Sequence, residues 1–378
     1  MTTTEGFGVY VHVPFCTRRC DYCAFATWTD RFSLAGAYVT ACISELRRAR
    51  SSEDLPPATS VFFGGGTPSL LDPDAIGSIL SEVGLAAGAE VTVECNPDTV
   101  DEVKLRGYRG AGVNRLSFGV QSMVPHVLRG LGRSHSAGAV RSAVEAAAGA
   151  GFAGAYNVDL IFGAAGESMA DWSSTLSAVL ELDPPPAHVS AYALTVEAGT
   201  PLAADTSRYP DGDDQADKYL LADSVLFGAG LRWYEISNWA VPGHECSHNL
   251  LYWRQGPYRG IGCAAHSHRV DPRSGGSRRW WNVRTPERYI RLVSENGSAE
   301  AAGEELGAEV SAVEALQLAL RTREGVPAAS LPAGTAIDPA LEGLVEPAGE
   351  GMLALTPRGR LLANEVALRL RRAPIAGN

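Results

Sequence analysis

Tyr10-Val11-His12-Val13-Pro14-Phe15-Cys16-Thr17-Arg18-Arg19-Cys20-Asp21-Tyr22-Cys23 is an apolar strand that runs straight into three cysteines spaced C-x3-C-x2-C. Thiolates packed this closely face one metal centre only if the backbone loops around it, and soft sulfur ligands select iron-sulfur clusters, zinc or copper(I). Structural zinc sites want four closed ligands, and no fourth cysteine completes this loop. A 4Fe-4S cube held by Cys16, Cys20 and Cys23 leaves one iron open to a substrate or cofactor. A zinc loop is the bland alternative.

Outward from this loop, strand-like and helix-like segments alternate, the signature of a parallel α/β fold. Helices are expected over 32–50, from about Asp72, and over 136–149 and 168–182. Strands are expected over 9–13, 61–63, 90–95, 115–120, 155–161 and 188–194, and these six βα units fit a partial (β/α)6 barrel. Side chains alternate across a strand. Tyr10 and His12 oppose Val9, Val11 and Val13, while Thr92, Glu94 and Asn96 oppose Val91, Val93 and Cys95. Ser117, Gly119 and Gln121 oppose Leu116, Phe118 and Val120, and Asn157 and Asp159 oppose Val158 and Leu160. Parallel sheets are covered on both sides, so the apolar faces should pack on helices and the polar faces should line the barrel interior near the strand C-termini. Gly64-Gly65-Gly66-Thr67-Pro68 follows a buried strand, where bare backbone N–H groups can approach a ligand that a Cβ would block; a flexible turn is the plainer explanation.

At 378 residues the chain exceeds the ~250–300 at which single cores stop growing, so a large domain plus a smaller one is expected. The net charge of −11 argues against broad nucleic-acid binding. Seven cysteines, an odd count, argue against a disulfide framework and suit a reducing compartment. Neither a long apolar run nor a signal-like N-terminus is present, which predicts a cytoplasmic protein.

The cysteine spacing after a first strand resembles the radical S-adenosylmethionine (SAM) superfamily. There the open iron binds the amino and carboxylate groups of SAM, and one electron from the reduced cluster cleaves SAM to methionine and a 5′-deoxyadenosyl radical. Tyr-x-His-x-Pro-Phe before Cys16 is similar to the oxygen-independent coproporphyrinogen III oxidase-like family, which includes a haem chaperone branch. This resemblance covers most of residues 7–295. It implies SAM contacts at Tyr10, Tyr22, Gly65, Gly66, Thr67, Glu94, Gln121, Arg133, Asp159 and Ala193.

Two features separate the branches. The oxidase has a fourth cysteine two residues after the third, where this chain has Phe25, which puts decarboxylase activity in doubt. His248-Asn249-x-x-Tyr252-Trp253 resembles a signature of the chaperone branch, and it makes His248 a candidate haem contact, since imidazole ligates haem iron and aromatics pack on porphyrin. The branch implies haem as cargo, an acceptor protein such as a membrane-associated respiratory protein, and an electron donor for the cluster. The oxidase remains the alternative, with an unrelated radical SAM enzyme behind it. Residues 1–230 are expected to form the core and 231–295 a family-specific extension. After a linker over 294–303, residues 304–378 are expected to form a small α+β, winged-helix-like domain.

Overall fold

The structure is a computed structural model that describes residues 6–53, 55–331 and 341–370. The outermost residues of the expected core and C-terminal domain therefore lie outside the described residues. The chain alternates β1 (Gly8–Val13), α1 (Ala35–Ser52), β2 (Ala58–Gly65), α2 (Pro73–Leu80), β3 (Leu85–Cys95), α3 (Glu102–Ala111) and β4 (Arg115–Gln121). It continues through α4 (Pro125–Gly130), α5 (Ala137–Gly149), β5 (Tyr156–Phe162), α6 (Met169–Leu180), β6 (His188–Ala193) and α7 (Gly212–Gly228). The helix starts are written locally: Asp101 and Ser136 cap α3 and α5, and Ser168 forms a reciprocal capping box with Asp171 on α6.

Strands β1 to β6 pair in parallel in chain order, as the alternating pattern requires. Their apolar faces are buried: Val9, Val11, Val61, Phe63, Val91, Val93, Leu116, Phe118, Val158 and Leu160 are at most 2% exposed and join one core with the surrounding helices. Register aligns the opposite faces into rows. Tyr10 sits beside Phe62, Thr92 and Arg115. Glu94 sits beside Ser117, Asn157 and His188, and Gly119 beside Asp159 and Ser190.

A hairpin of β7 (Arg232–Glu235) and β8 (Asn238–Ala240) adds antiparallel to β6. The Glu235 carboxylate accepts from Ser237 N–H and the Asn238 amide, which turns the chain back. Next come α8 (Ser247–Trp253) and β9 (Tyr258–Ile261), which pairs parallel to β1. The sheet then continues antiparallel through β10 (His266–Val270) and β11 (Ser277–Asn282), and past α9 (Pro286–Asn296) to β12 (Glu300–Leu306). Residues 294–303, expected as a linker, are thus the end of α9 and the start of an edge strand. Arg278 and Arg279 on β11 pair with Glu300, Glu304 and Glu305 across that edge, so charge rather than apolar alternation specifies the strand.

The C-terminal part comprises α10 (Ala308–Ala319), β13 (Val326–Pro327), β14 (Val345–Gly349), β15 (Met352–Leu355), α11 (Pro357–Leu361) and α12 (Ala363–Ala367). Its three strands form a separate sheet over a second apolar core that includes Leu320, Leu344, Leu355 and Val366. Residues 341–344 turn the chain into β14.

Candidate functional site

The polar faces of β1 and β3–β6 line one cavity of about 600 Å³, with Cys16, Cys20 and Cys23 at its mouth beyond the C-terminal strand ends. The cysteine loop is bolted down on three sides. His12 Nε2 donates to Ala26 O at 2.9 Å, which fixes the tautomer, so His12 Nδ1 accepts from Tyr10 OH at 3.0 Å. Asp21 N–H donates to Leu131 O, Asp21 O accepts from Leu202 N–H, and the Asp21 carboxylate accepts from Arg208 at 2.9 Å. Thr67 Oγ1 and Arg133 Nη1 donate to Cys16 Sγ and Cys20 Sγ at 3.6 and 3.5 Å. Desolvation raises the Cys16 and Cys23 thiols, and the neighbouring thiols raise them further.

Deeper in, Gly65 N–H donates to Glu94 Oε2 at 3.1 Å. Asp159 accepts from Ser117 Oγ and Asn157 Nδ2, both at 2.7 Å. Desolvation pushes Glu94 up to about 8, with Asp159 adding to the rise and the Gly65 N–H opposing it. A carboxyl raised from its unfolded ~4.3 makes the folded state hold an extra proton across that window. Its stabilising contribution is therefore complete below about 4 and lost as pH rises through about 8. The SAM-free protein should melt progressively lower between about pH 4 and pH 8, and Glu94→Gln should flatten that decline. Parallel declines in parent and variant would assign it to other groups.

The remaining expected positions also reach the cavity. Gln121 lines it with φ +63°, a strained conformation for a non-glycine residue, at a bulge against β5. Arg133 is aimed by bonds to Gly119 O at 2.7 Å and His135 Nδ1 at 3.3 Å. Tyr10, Tyr22, Gly66, Thr67 and Ala193 complete the walls. His188, Ser190 and Tyr192 line the cavity as well; strand alternation in β6 carries the same signal as in its neighbours.

His248 lines the same cavity at the end away from the cysteines, against Ser60 and Phe62 on β2. Its Nδ1 meets Ser60 Oγ and its Nε2 meets Tyr252 OH, both at 2.9 Å, and its ring stacks on Phe62. It is 1% exposed, and desolvation pulls it down to about 3, so it is a neutral imidazole with both nitrogens engaged. Of the other histidines that follow in sequence, His266 stacks on Trp281 at the sheet surface, and His268 is buried against Gly256 O.

Residues 10–179 match the model of the radical SAM superfamily. The heme chaperone HemW of Mycobacterium tuberculosis is 41% identical over 97% of this chain and 95% of its own length. This chain belongs to the HemW family. The Escherichia coli HemW is 37% identical over 70% of this chain and 71% of its own length. Mouse radical S-adenosyl methionine domain-containing protein 1, mitochondrial, is also 37% identical, over 84% of this chain and 74% of its own. Among solved structures, E. coli coproporphyrinogen III oxidase (HemN), a radical SAM enzyme, superposes with a TM-score of 0.79 over 96% of this chain and 89% of that one. At 22% identity that likeness shows a shared fold.

The radical SAM family brings a 4Fe-4S cluster and SAM, and the residues present fit both. Three free, partly exposed thiols rim a polar cavity of the size that takes a small-molecule cofactor. Among the described residues no three His, Cys, Asp or Glu side chains stand close enough to hold a single metal ion. A four-iron cube differs from such a site in spreading its sulfur ligands over separate irons. The Thr92 hydroxyl, 1% exposed and on the cavity wall, has no protein partner, so the cavity offers a donor for a polar ligand.

Proposed function

We propose that this member of the HemW family is a haem chaperone that carries a 4Fe-4S cluster and SAM, binds haem and hands it to an acceptor apoprotein. The observation that carries this reading is the 41% identity to a heme chaperone HemW over nearly the whole of both chains. Cys16, Cys20 and Cys23 each ligate one iron. When bound, the cluster supplies an open iron for the amino and carboxylate groups of SAM and an electron for SAM. The backbone at Gly65 and Gly66 lets SAM approach, with Thr67 closing that side. The carboxyl groups of Glu94 and Asp159 face the ammonium and sulfonium of SAM, whose positive charge would draw Glu94 from the neutral form that burial favours to the ionised one. Tyr10, Tyr22, Gln121, Arg133 and Ala193 orient the rest and exclude water.

With SAM inside, haem docks over the mouth. Phe25 and Tyr192 line the cavity while 65% and 41% exposed, and the exposed Arg18 and Arg19 line it as well. Two aromatic faces with two guanidinium groups match a flat macrocycle carrying propionates. His248 is not an axial ligand in this scheme, because it sits at the far end of the barrel with no free nitrogen. His248→Ala should keep the parent's Soret band and haem affinity, while Phe25→Ala should weaken binding several-fold. A shifted Soret band in a folded His248→Ala protein would restore the axial role.

The acceptor, such as a membrane-associated respiratory protein, and the electron donor are separate proteins in this reading. The setting is the cytoplasm; among the described residues no helix is long and apolar enough to cross a membrane. The oxidase alternative has the shared fold on its side, but Phe25 stands where the oxidase carries its fourth cysteine. One anaerobically reconstituted sample decides: haem binding and transfer without coproporphyrinogen decarboxylation is expected, and decarboxylation with no haem binding overturns the proposal.

A further inference from the structure

The signature helix α8 is joined to Asp159 by a hydrogen-bond chain whose direction is fixed at every step. Cys246 N–H and Asn249 Nδ2 both donate to Tyr234 OH, at 3.4 and 3.3 Å. With its lone pairs taken, the Tyr234 hydroxyl donates its own proton, and the acceptor in reach is His188 Nε2 at 2.8 Å. His188 therefore carries its proton on Nδ1, which donates to Asn157 Oδ1 at 2.5 Å. An Asn157 amide held oxygen-first toward His188 turns its NH2 toward Asp159 Oδ1, and also toward Ser117 and Ser190. Reading from the other end gives the same order, since Asp159 accepts from Asn157 Nδ2 on one oxygen and from Ser117 Oγ on the other, both at 2.7 Å. Asn249 is held in turn by Glu235 Oε1 at 3.1 Å, and Tyr234, His188 and Asn157 are all buried.

We infer that Asn249 and Tyr234 are positioning residues for SAM: α8 sets the His188 tautomer and the Asn157 amide orientation, and these aim the Asp159 carboxylate into the cavity. The signature thus acts at the barrel floor, on the cofactor, rather than on haem. The inference rests on the assignment of Asp159 to SAM made above.

Tyr234→Phe removes one hydroxyl and keeps the ring. Without it, His188 Nε2 has no donor, the imidazole is free to change tautomer, and Asn157 is free to turn its oxygen toward Asp159. SAM affinity, read from the SAM-induced change in the EPR spectrum of the reduced cluster, should fall about tenfold. Iron content and haem affinity should stay at parent values, which a loss of folding would not allow. A second measurement needs no variant: 15N NMR of histidine-labelled parent should show His188 as the Nδ1–H tautomer, and Tyr234→Phe should shift it toward Nε2–H. A parent His188 protonated on Nε2, or a Tyr234→Phe protein that binds SAM as the parent does, overturns the inference. A parent with a full cluster but no SAM response would instead overturn the SAM assignment on which it rests.

Discussion

Substituting any one of Cys16, Cys20 and Cys23 by serine should leave the anaerobically reconstituted protein without its complement of about four irons, and the triple variant should bind essentially none. The expectation follows from the count of soft ligands at the mouth. The other four cysteines, Cys42, Cys95, Cys246 and Cys263, are buried, Cys95 and Cys246 along the inner wall of the cavity, whereas the three of the loop are partly exposed and cluster at its mouth. Serine keeps the size of the side chain and replaces soft sulfur by hard oxygen, a poor ligand for such a cluster. Because the loop is held independently by His12, Asp21 and Trp28, whose carbonyl accepts from Cys16 N–H, the fold should survive the substitution. Iron and sulfide analysis beside circular dichroism checks this. A folded triple variant with the parent's iron and sulfide would remove the cluster from this loop.

Gly66→Ala should lower SAM affinity by at least about tenfold, or ~1.4 kcal/mol. Gly66 N–H donates to Val13 O at 2.8 Å, and Thr67 N–H donates to Phe15 O at 2.8 Å, so this segment is laced to the chain just before Cys16. A Cβ on Gly66 would lie 2.7 Å from both Val13 O and Phe15 O. Those are backbone atoms with no rotamer to change, so the segment must move, taking with it the Thr67 hydroxyl that donates to Cys16 Sγ. Gly36→Ala is the control, because a Cβ there meets nothing within 4 Å on α1. Binding isotherms for SAM on both variants, at matched iron content, decide the matter. Equal affinity in Gly66→Ala and parent would show that the glycine segment turns the chain without facing the ligand.

Much of the site is legible in the chain. The inner face of the barrel follows from strand parity, because a side chain's face is fixed by its place in the strand. Glu94, Ser117, Asn157 and Asp159 therefore fall on the polar side whatever their neighbours are, and the same rule applied to β6 yields His188, Ser190 and Tyr192. The cysteine loop is legible for a related reason, its three thiols being close in sequence. The glycine segment is legible as a special backbone, although what its missing side chains make room for is not.

His248 shows the limit. Its motif and the chemistry of imidazole make it a candidate haem contact, but a sequence does not say which end of the cavity a later helix covers. Tyr252, one turn along α8, takes one ring nitrogen, but only when α8 packs beneath β2 does Ser60 take the other, and only then does Asn249 meet Tyr234 on the β7–β8 hairpin. The acidic and small residues of β12 likewise become a strand only beside the arginines of β11. The sequence by itself determined the three-thiolate loop, the alternation of strand and helix, and the polarity of the barrel interior, since each depends on spacing along one segment. Tertiary structure alone decided the depth of the cavity, the anchoring of the loop by Arg208, and the direction of the chain from Asn249 to Asp159. Those depend on distances between residues far apart in the chain, set by how helices and edge strands pack and by which partner completes each buried donor and acceptor.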